Sequence, residues 1–250
     1  RVDRRQRQMC IRDRFKRVEG RTIGVYFKEE IAEPFNIDFH IGLNDSQIER
    51  CASITSFNRL DSIKPPIEFI KYFPNFLLNK ALINLKKSFE SKDFLKAFMP
   101  EPFINNGPNS YDFRTSELPA GNGHGTASGL AKLFGILSTG CKRNNNTLMS
   151  EDSLYKATRI YTSGPDTVLF GVLLNFGYCF MLEGNKKSEI NFAPIFYKGT
   201  FGHAGIGGSV AFGDIKNQIG YSFVCNKQQK NKNLYKTSNL LTKALYEAIS

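Results

Sequence analysis

Two stretches of the chain hold side chains that could do chemistry at useful spacing. In TFGHAGIGGSVAFGD (200–214), His203 stands between glycines and is followed two positions later by Gly205. Histidine is the side chain best suited to acid–base work near neutral pH. A glycine two residues on removes a Cβ, so that an extended chain could lie along the strand edge. Glycine normally weakens a strand, and a cluster of them between 202 and 213 implies that another backbone comes close. In Ser153-Leu154-Tyr155-Lys156, hydroxyl and amine are three residues apart and would share one helical face, as a serine nucleophile and its lysine partner require. That stretch follows Ser150-Glu151-Asp152, which reads as a charged, capped helix start. A nucleophile needs an apolar, buried helix that depresses the lysine pKa, so a solvated first turn is expected at Ser153 instead.

The other histidines carry weaker chemistry. His124, in GNGHGTA, is placed in a glycine loop opening a helix, where backbone N–H groups could face a substrate carboxylate. His40 lies two residues after Asp38, but two potential ligands without a third make no zinc site. No metal or cofactor is expected, and a dinucleotide fingerprint is absent because Val210 stands where the third glycine of 205–210 would be.

These residues need a frame. VYFKEEIAEPF (25–35) has apolar residues at helical spacing and is predicted to stop at Pro34, and helical patterning returns over 67–98 with a break near Pro74. Thr126 is placed as the cap of a helix presenting Leu130, Leu133, Phe134 and Leu137 on one face and stopping at Gly140. From about 166 the texture turns to Val, Phe, Ile, Tyr and Gly with short turns such as 214–217, which predicts antiparallel strands, and 238–249 closes the chain as an amphipathic helix. Helices over 18–165, then strands and a last helix over 166–250, make an α+β fold: an antiparallel sheet flanked by helices with a helical layer.

Charge and cysteines narrow the function classes. Residues 1–17 hold eight basic and two acidic side chains and so carry +6 of the net +11, which leaves the body only mildly basic. That segment has no apolar periodicity and reads as an unstructured arm, QMCIRDR resembling translated sequencing-adapter sequence. No nucleic-acid partner is expected. The longest apolar run, 167–182, contains Asn175 and falls short of a bilayer span, so no membrane partner is expected either. Cys10, Cys51, Cys141, Cys179 and Cys225 have no paired spacing and read as reduced thiols of an intracellular, cytoplasmic protein.

FGHAGIGGSVAFGDIKNQIGYSFVCNK, with FKEEIAEPFNIDFHIGL and GNGHGTASGLAKLFGIL before it, resembles the serine β-lactamase-related family of class C β-lactamases, D-peptidases and esterases, in its animal branch. The resemblance spans roughly 23–248 and implies a β-lactamase/transpeptidase-like fold of which this chain is the C-terminal portion, the N-terminal part of the fold missing. It also implies a site built from S-x-x-K, a tyrosine motif and [KH]-x-G. His203-Ala204-Gly205 matches the third. By that likeness His203 and Gly205 are catalytic, the Ile206 N–H donates to the oxyanion, and Ala204, Asn226 and His124 border the substrate. Tyr161-Thr162-Ser163 and Lys236-Thr237-Ser238 are loose imitations of the second and third motifs. The implied activity of the complete protein is hydrolysis of a small-molecule or peptide ester or amide through an acyl-serine. This chain, without the first two motifs, is expected to be inactive alone; the alternative is a non-catalytic homologue that binds or assembles.

Overall fold

The computed structural model describes residues 4–55, 107–166, 172–183, 193–205, 207–229 and 233–250. The helical pattern read over 67–98 lies outside them. The basic segment expected to be unstructured is helical from Arg4 onward, as α1 (Arg4–Glu19). Arg, Lys, Gln and Met are good helix formers whether or not they make an apolar face. Its last turns are anchored, because the Phe15 ring meets Tyr26 edge to face at 5.2 Å.

Thr22 caps α2 (Ile23–Phe27), which runs on through a π turn (Lys28–Ala32) into α3 (Glu33–Phe35). The helix therefore passes the proline predicted to end it. Pro34 has no N–H to give to the turn before it, and that turn is widened so that the Glu33 N–H reaches the Lys28 carbonyl. The stop comes at Asn36, whose φ of 50° is the left-handed conformation of a helix C-terminus.

The segment read as mainly helical also contains two small antiparallel ribbons. β1 (Phe39–Ile41) pairs with β2 (Gly123–Gly125), and β3 (Lys142–Arg143) with β4 (Asn146–Thr147). Between them lie α4 (Asp45–Glu49), closed by an Asn44/Gln47 capping box, α5 (Tyr111–Thr115), and α6 (Ala127–Ser138). Thr126 caps α6 as its position predicts, its hydroxyl accepting from the Gly129 N–H at 3.1 Å. α7 (Glu151–Ala157) follows.

The main sheet is an antiparallel meander of six strands: β5 (Thr162–Asp166), β6 (Val172–Phe176), β7 (Met181–Leu182), β8 (Thr200–Ala204), β9 (Val210–Asp214) and β10 (Ile219–Phe223). Each pairs with its neighbours in sequence, and the first begins a few residues before the predicted boundary at 166. α8 (Lys236–Ala248) covers one face and α6 the other.

β9 is buried along its whole length and alternates between the two cores. Ala211 joins Phe201, Phe134 and Leu137 beneath α6, while Val210 and Phe212 join Phe196 and Tyr235 on the α8 side. Two strand glycines sit where the helix comes down. Gly213 and Gly220 are cross-strand partners, and a Cβ on Gly220 would strike the Ala131 carbonyl and the Gly135 backbone. Close approach of the α6 backbone is thus the reason for Gly220, while Gly213 makes room for the Ser138 hydroxyl of the same helix and the Phe201 ring. At the end of β9, Asp214 is fully buried and accepts hydrogen bonds from the Asn217 N–H (3.0 Å), the Asn217 side-chain amide (2.8 Å) and the Tyr246 hydroxyl (2.6 Å), tying α8 to the β9–β10 turn.

Candidate functional site

β8 delivers His203 to the end of a hairpin. Its ladder with β9 runs from Thr200↔Asp214 through Ala204↔Val210, but its ladder with β7 ends at Met181↔Gly202. From His203 onward the strand is therefore supported from the β9 side after its β7 partner has stopped. Side chains alternate accordingly: Phe201 is buried and His203 exposed. The His203 Nδ1 lies 2.8 Å from the Ala204 carbonyl, which can only accept, so in that contact the proton sits on Nδ1 and Nε2 is the basic nitrogen.

The turn after Ala204 is closed by two backbone bonds, Gly205 N–H to the Ser209 carbonyl at 2.8 Å and Gly208 N–H to the Gly205 carbonyl at 3.3 Å. Gly207 and Gly208 take φ values of 109° and 108°, where a side chain is strained. The chain after β10 braces the turn from outside. The Cys225 N–H donates to the Ser209 hydroxyl (3.3 Å), the Cys225 thiol to the Gly207 carbonyl (3.4 Å), and the Gln229 N–H to the same carbonyl (2.9 Å).

The glycines of this region separate into two kinds. A Cβ on Gly202 would lie 2.6 Å from Phe212, and one on Gly208 would lie 2.5 Å from the Leu234 carbonyl. These two serve packing and the turn, and the backbone that comes close to them is the protein's own. Gly205 is different: a Cβ there would meet nothing nearer than Ser209, at 3.9 Å. Among the described residues no packing reason for this glycine exists, and its missing side chain leaves room at the exposed end of β8. Ile206 lies outside the described residues.

The other candidates are placed elsewhere in their local structure. His124 is not in a loop but in β2, directly opposite His40 across the ribbon. Its Nδ1 is buried without a hydrogen-bond partner, its ring is 6.4 Å from Phe113, and burial, with Arg114 and His40 nearby, holds its pKa below the ordinary histidine value against the Asn122 backbone hydrogen bond. His40 is engaged by Asp38 (3.1 Å) and Gln47 (3.1 Å), and Asp38 also accepts from Arg50 at 2.6 Å. Arg50 foremost, opposed by burial and aided by His40, holds the Asp38 carboxyl below its ordinary value. Asn226 is exposed and holds a neighbouring segment: its side chain donates to the Ser53 carbonyl (3.3 Å), its own carbonyl accepts the Thr55 N–H (2.7 Å), and Thr55 bridges to Lys227. Among the described residues no three His, Cys, Asp or Glu side chains converge as a metal-binding group, and no helix is long and apolar enough to cross a membrane.

Ser153 sits in the first turn of α7, exposed, its N–H donating to the capping Ser150 hydroxyl and its own hydroxyl accepting from it. Lys156 is exposed too and is held by Asp152 at 2.6 Å. Neither side chain has the buried surroundings that activate a nucleophile. Tyr161 stacks on Tyr178 at 4.1 Å at the start of β5, and Lys236-Thr237-Ser238 opens α8 rather than lying on a strand.

Sequence reasoning missed a residue that holds the turn from inside. The Tyr235 hydroxyl donates to the Gly205 carbonyl at 3.1 Å from a position 30 residues away. No spacing rule joins the two; the only local signal is an aromatic residue just ahead of an amphipathic helix.

The chain is similar to known proteins in sequence and in fold. The chain is 28% identical over 214 residues to the esterase/beta-lactamase LipL of Mycobacterium tuberculosis, covering 84% of this chain and 44% of that protein. Among solved structures, a penicillin-binding protein homologue from Caulobacter crescentus superposes with a TM-score of 0.66 at 28% identity, covering 92% of this chain and 53% of the other. A family VIII carboxylesterase superposes with a TM-score of 0.63 at 24% identity, covering 90% and 54%, which is likeness of fold. The chain thus spans about half the length of the relatives it matches. The Beta-lactamase family model matches residues 13–244, a stretch that takes in the meander, the helices on both of its faces and the His203 turn, and on that extent the chain belongs to the Beta-lactamase family.

Proposed function

We propose that this chain is the sheet-bearing, C-terminal portion of a β-lactamase-related serine hydrolase of the animal branch. In this reading the His203-Ala204-Gly205 stretch forms one wall of the catalytic cleft. The carrying observation is Gly205: it alone of the hairpin glycines stands at an exposed strand end with room for a Cβ, whose nearest neighbour would be Ser209 at ordinary contact distance. A substrate backbone can lie along β8 there, beyond the point where β7 stops pairing. His203 serves as the acid–base group, Nε2 taking or returning the proton. The Ile206 N–H is one oxyanion donor, worth about 3 kcal/mol of transition-state stabilisation. Ala204 and Asn226 border the substrate, and His124 contributes from the β1–β2 ribbon.

The substrate class is an ester or amide, in a small molecule or a peptide. Support comes from the relatives, one of them an esterase/beta-lactamase and one a penicillin-binding protein homologue, each about twice the length that this chain spans. The nucleophile comes from outside these 250 residues, since the single S-x-x-K within them is solvated on α7. An intracellular location is supported by Cys51, Cys141, Cys179 and Cys225, all free thiols.

The test is covalent labelling with a fluorophosphonate probe, together with turnover of a p-nitrophenyl ester. The natural full-length protein is expected to label and to turn over, and His203→Ala to lower kcat by about 10² to 10⁴, the range for a positioned acid–base group. The 250-residue chain alone is expected not to label. Labelling of that chain at Ser153, or a full-length protein indifferent to His203→Ala, overturns the reading.

A further inference from the structure

Tyr235 is buried, with 8% of its surface exposed, and sits immediately before α8 in the core on that side of the sheet. Its hydroxyl donates to the carbonyl of Gly205, the last residue of the His-x-Gly stretch. A phenol buried among Leu174, Met181, Phe196, Val210 and Phe212 must find an acceptor or lose a hydrogen bond outright, so this bond is a strong local constraint. Burial pushes the phenol well above its ordinary pKa, which keeps it a neutral donor throughout the working range.

The Gly205 carbonyl receives a second bond, from the Gly208 N–H, and the backbone preceding Tyr235 comes up against the same turn. The Leu234 carbonyl fills the space that a Cβ on Gly208 would need. Position and direction of the Gly205 carbonyl are therefore set from the protein interior, by the entry to α8.

We infer that Tyr235 is a positioning residue of the His203 site: its hydroxyl, bonded to the Gly205 carbonyl, holds the turn that ends the His203-Ala204-Gly205 stretch. The inference rests on the hydrolase reading of this site, and it makes a distinct prediction. Removal of the hydroxyl should slow the chemical step while leaving substrate binding and the fold in place, because the ring remains in its apolar cluster. A residue that merely stabilised α8 would affect α8 and both kinetic constants together.

The experiment has two readouts. In the natural full-length protein, hydrogen exchange is followed by mass spectrometry in peptides covering 200–214, with α6 and α8 as references. Tyr235→Phe is expected to speed exchange in the 205–209 turn by roughly 5- to 30-fold and to leave both helices unchanged. In the natural full-length protein, the same variant is expected to lower kcat by about 5- to 30-fold with KM within about twofold. Tyr235→His keeps a ring with an N–H donor and is expected to recover part of both effects; if the phenylalanine variant fails to fold, the histidine variant against the unsubstituted protein carries the test.

Unchanged exchange in the turn, or exchange that rises equally along α8, overturns the positioning role. So does an unchanged kcat in a protein whose turnover His203→Ala abolishes. If His203→Ala leaves turnover unaffected, the hydrolase reading falls instead, and the exchange readout still decides whether Tyr235 holds the turn.

Discussion

His124 shows how one side chain's burial becomes a property of the protein. The imidazole is held between Phe113 and the β1–β2 ribbon with His40 opposite and Arg114 nearby, and burial foremost lowers its pKa. The unfolded chain, with an ordinary histidine, therefore binds a proton at a higher pH than the folded chain does. The stability from keeping His124 neutral is fully present above the ordinary value of 6.5 and is lost as pH falls below it. Thermal unfolding of the 250-residue chain between pH 7.5 and 5.5 is expected to show a falling midpoint, and His124→Phe to flatten that slope. A slope identical in both proteins would assign the pH dependence to other groups. The other two histidines thus differ from His203 in their surroundings: His40 is engaged by Asp38 and Gln47, His124 is half-buried with a buried Nδ1, and His203 is exposed.

Among the elements, α6 and the β9–β10 hairpin depend most on each other. Gly220 lies under the Ala131–Gly135 turn of α6 so closely that even a methyl group would collide with backbone, which cannot rotate out of the way as a side chain can. Gly220→Ala is expected to cost about 1–3 kcal/mol, the range for overpacking a core, read as a shift in the urea midpoint. Thr126→Ala, which removes the cap of the same helix without touching the sheet, should cost about 1 kcal/mol. A glycine variant milder than the cap variant would mean that α6 can lift from the sheet. This seating also reaches the candidate site, since Phe134 and Leu137 of α6 pack on Phe201, two residues before His203.

For the whole molecule, the family match begins at residue 13, and the first side-chain packing described for α1 is Phe15 on Tyr26. Residues before that point carry most of the arginine density of 1–17. Deleting residues 1–12, which precede the family match, is expected to leave the thermal midpoint within about 2 °C, the shift that a few tenths of a kcal/mol produces. A larger drop would make α1 an integral part of the fold along its full length. At the opposite end, α8 is held by Asp214, whose carboxyl burial would push up but which the Tyr246 hydroxyl and Asn217 together hold below its ordinary value. Its contribution is present above the ordinary carboxylate range and lost as pH falls through the lowered value, at far more acidic pH than for His124.

Local chemistry by itself determined a good deal of this protein. The Thr126 cap, the apolar face of α6, the antiparallel texture after 166 and the His203-Ala204-Gly205 stretch all follow from residues near one another in sequence, because caps, periodicity and turns are short-range effects. Tertiary structure alone decided the rest. Gly202, Gly213 and Gly220 look like Gly205 in the sequence, and only the positions of Phe212, Ser138 and α6 show that three are packed and one is open. Ser153 and Lys156 have nucleophile spacing, and only the surface position of α7 leaves them in solvent. Arginine-rich α1 lacked an apolar pattern yet forms a helix, and Pro34 was passed because a π turn absorbed its missing donor. Tyr235 reaches Gly205 across 30 residues through a buried hydrogen bond, and such a pairing comes into being only when the sheet and its last helix close over a common core.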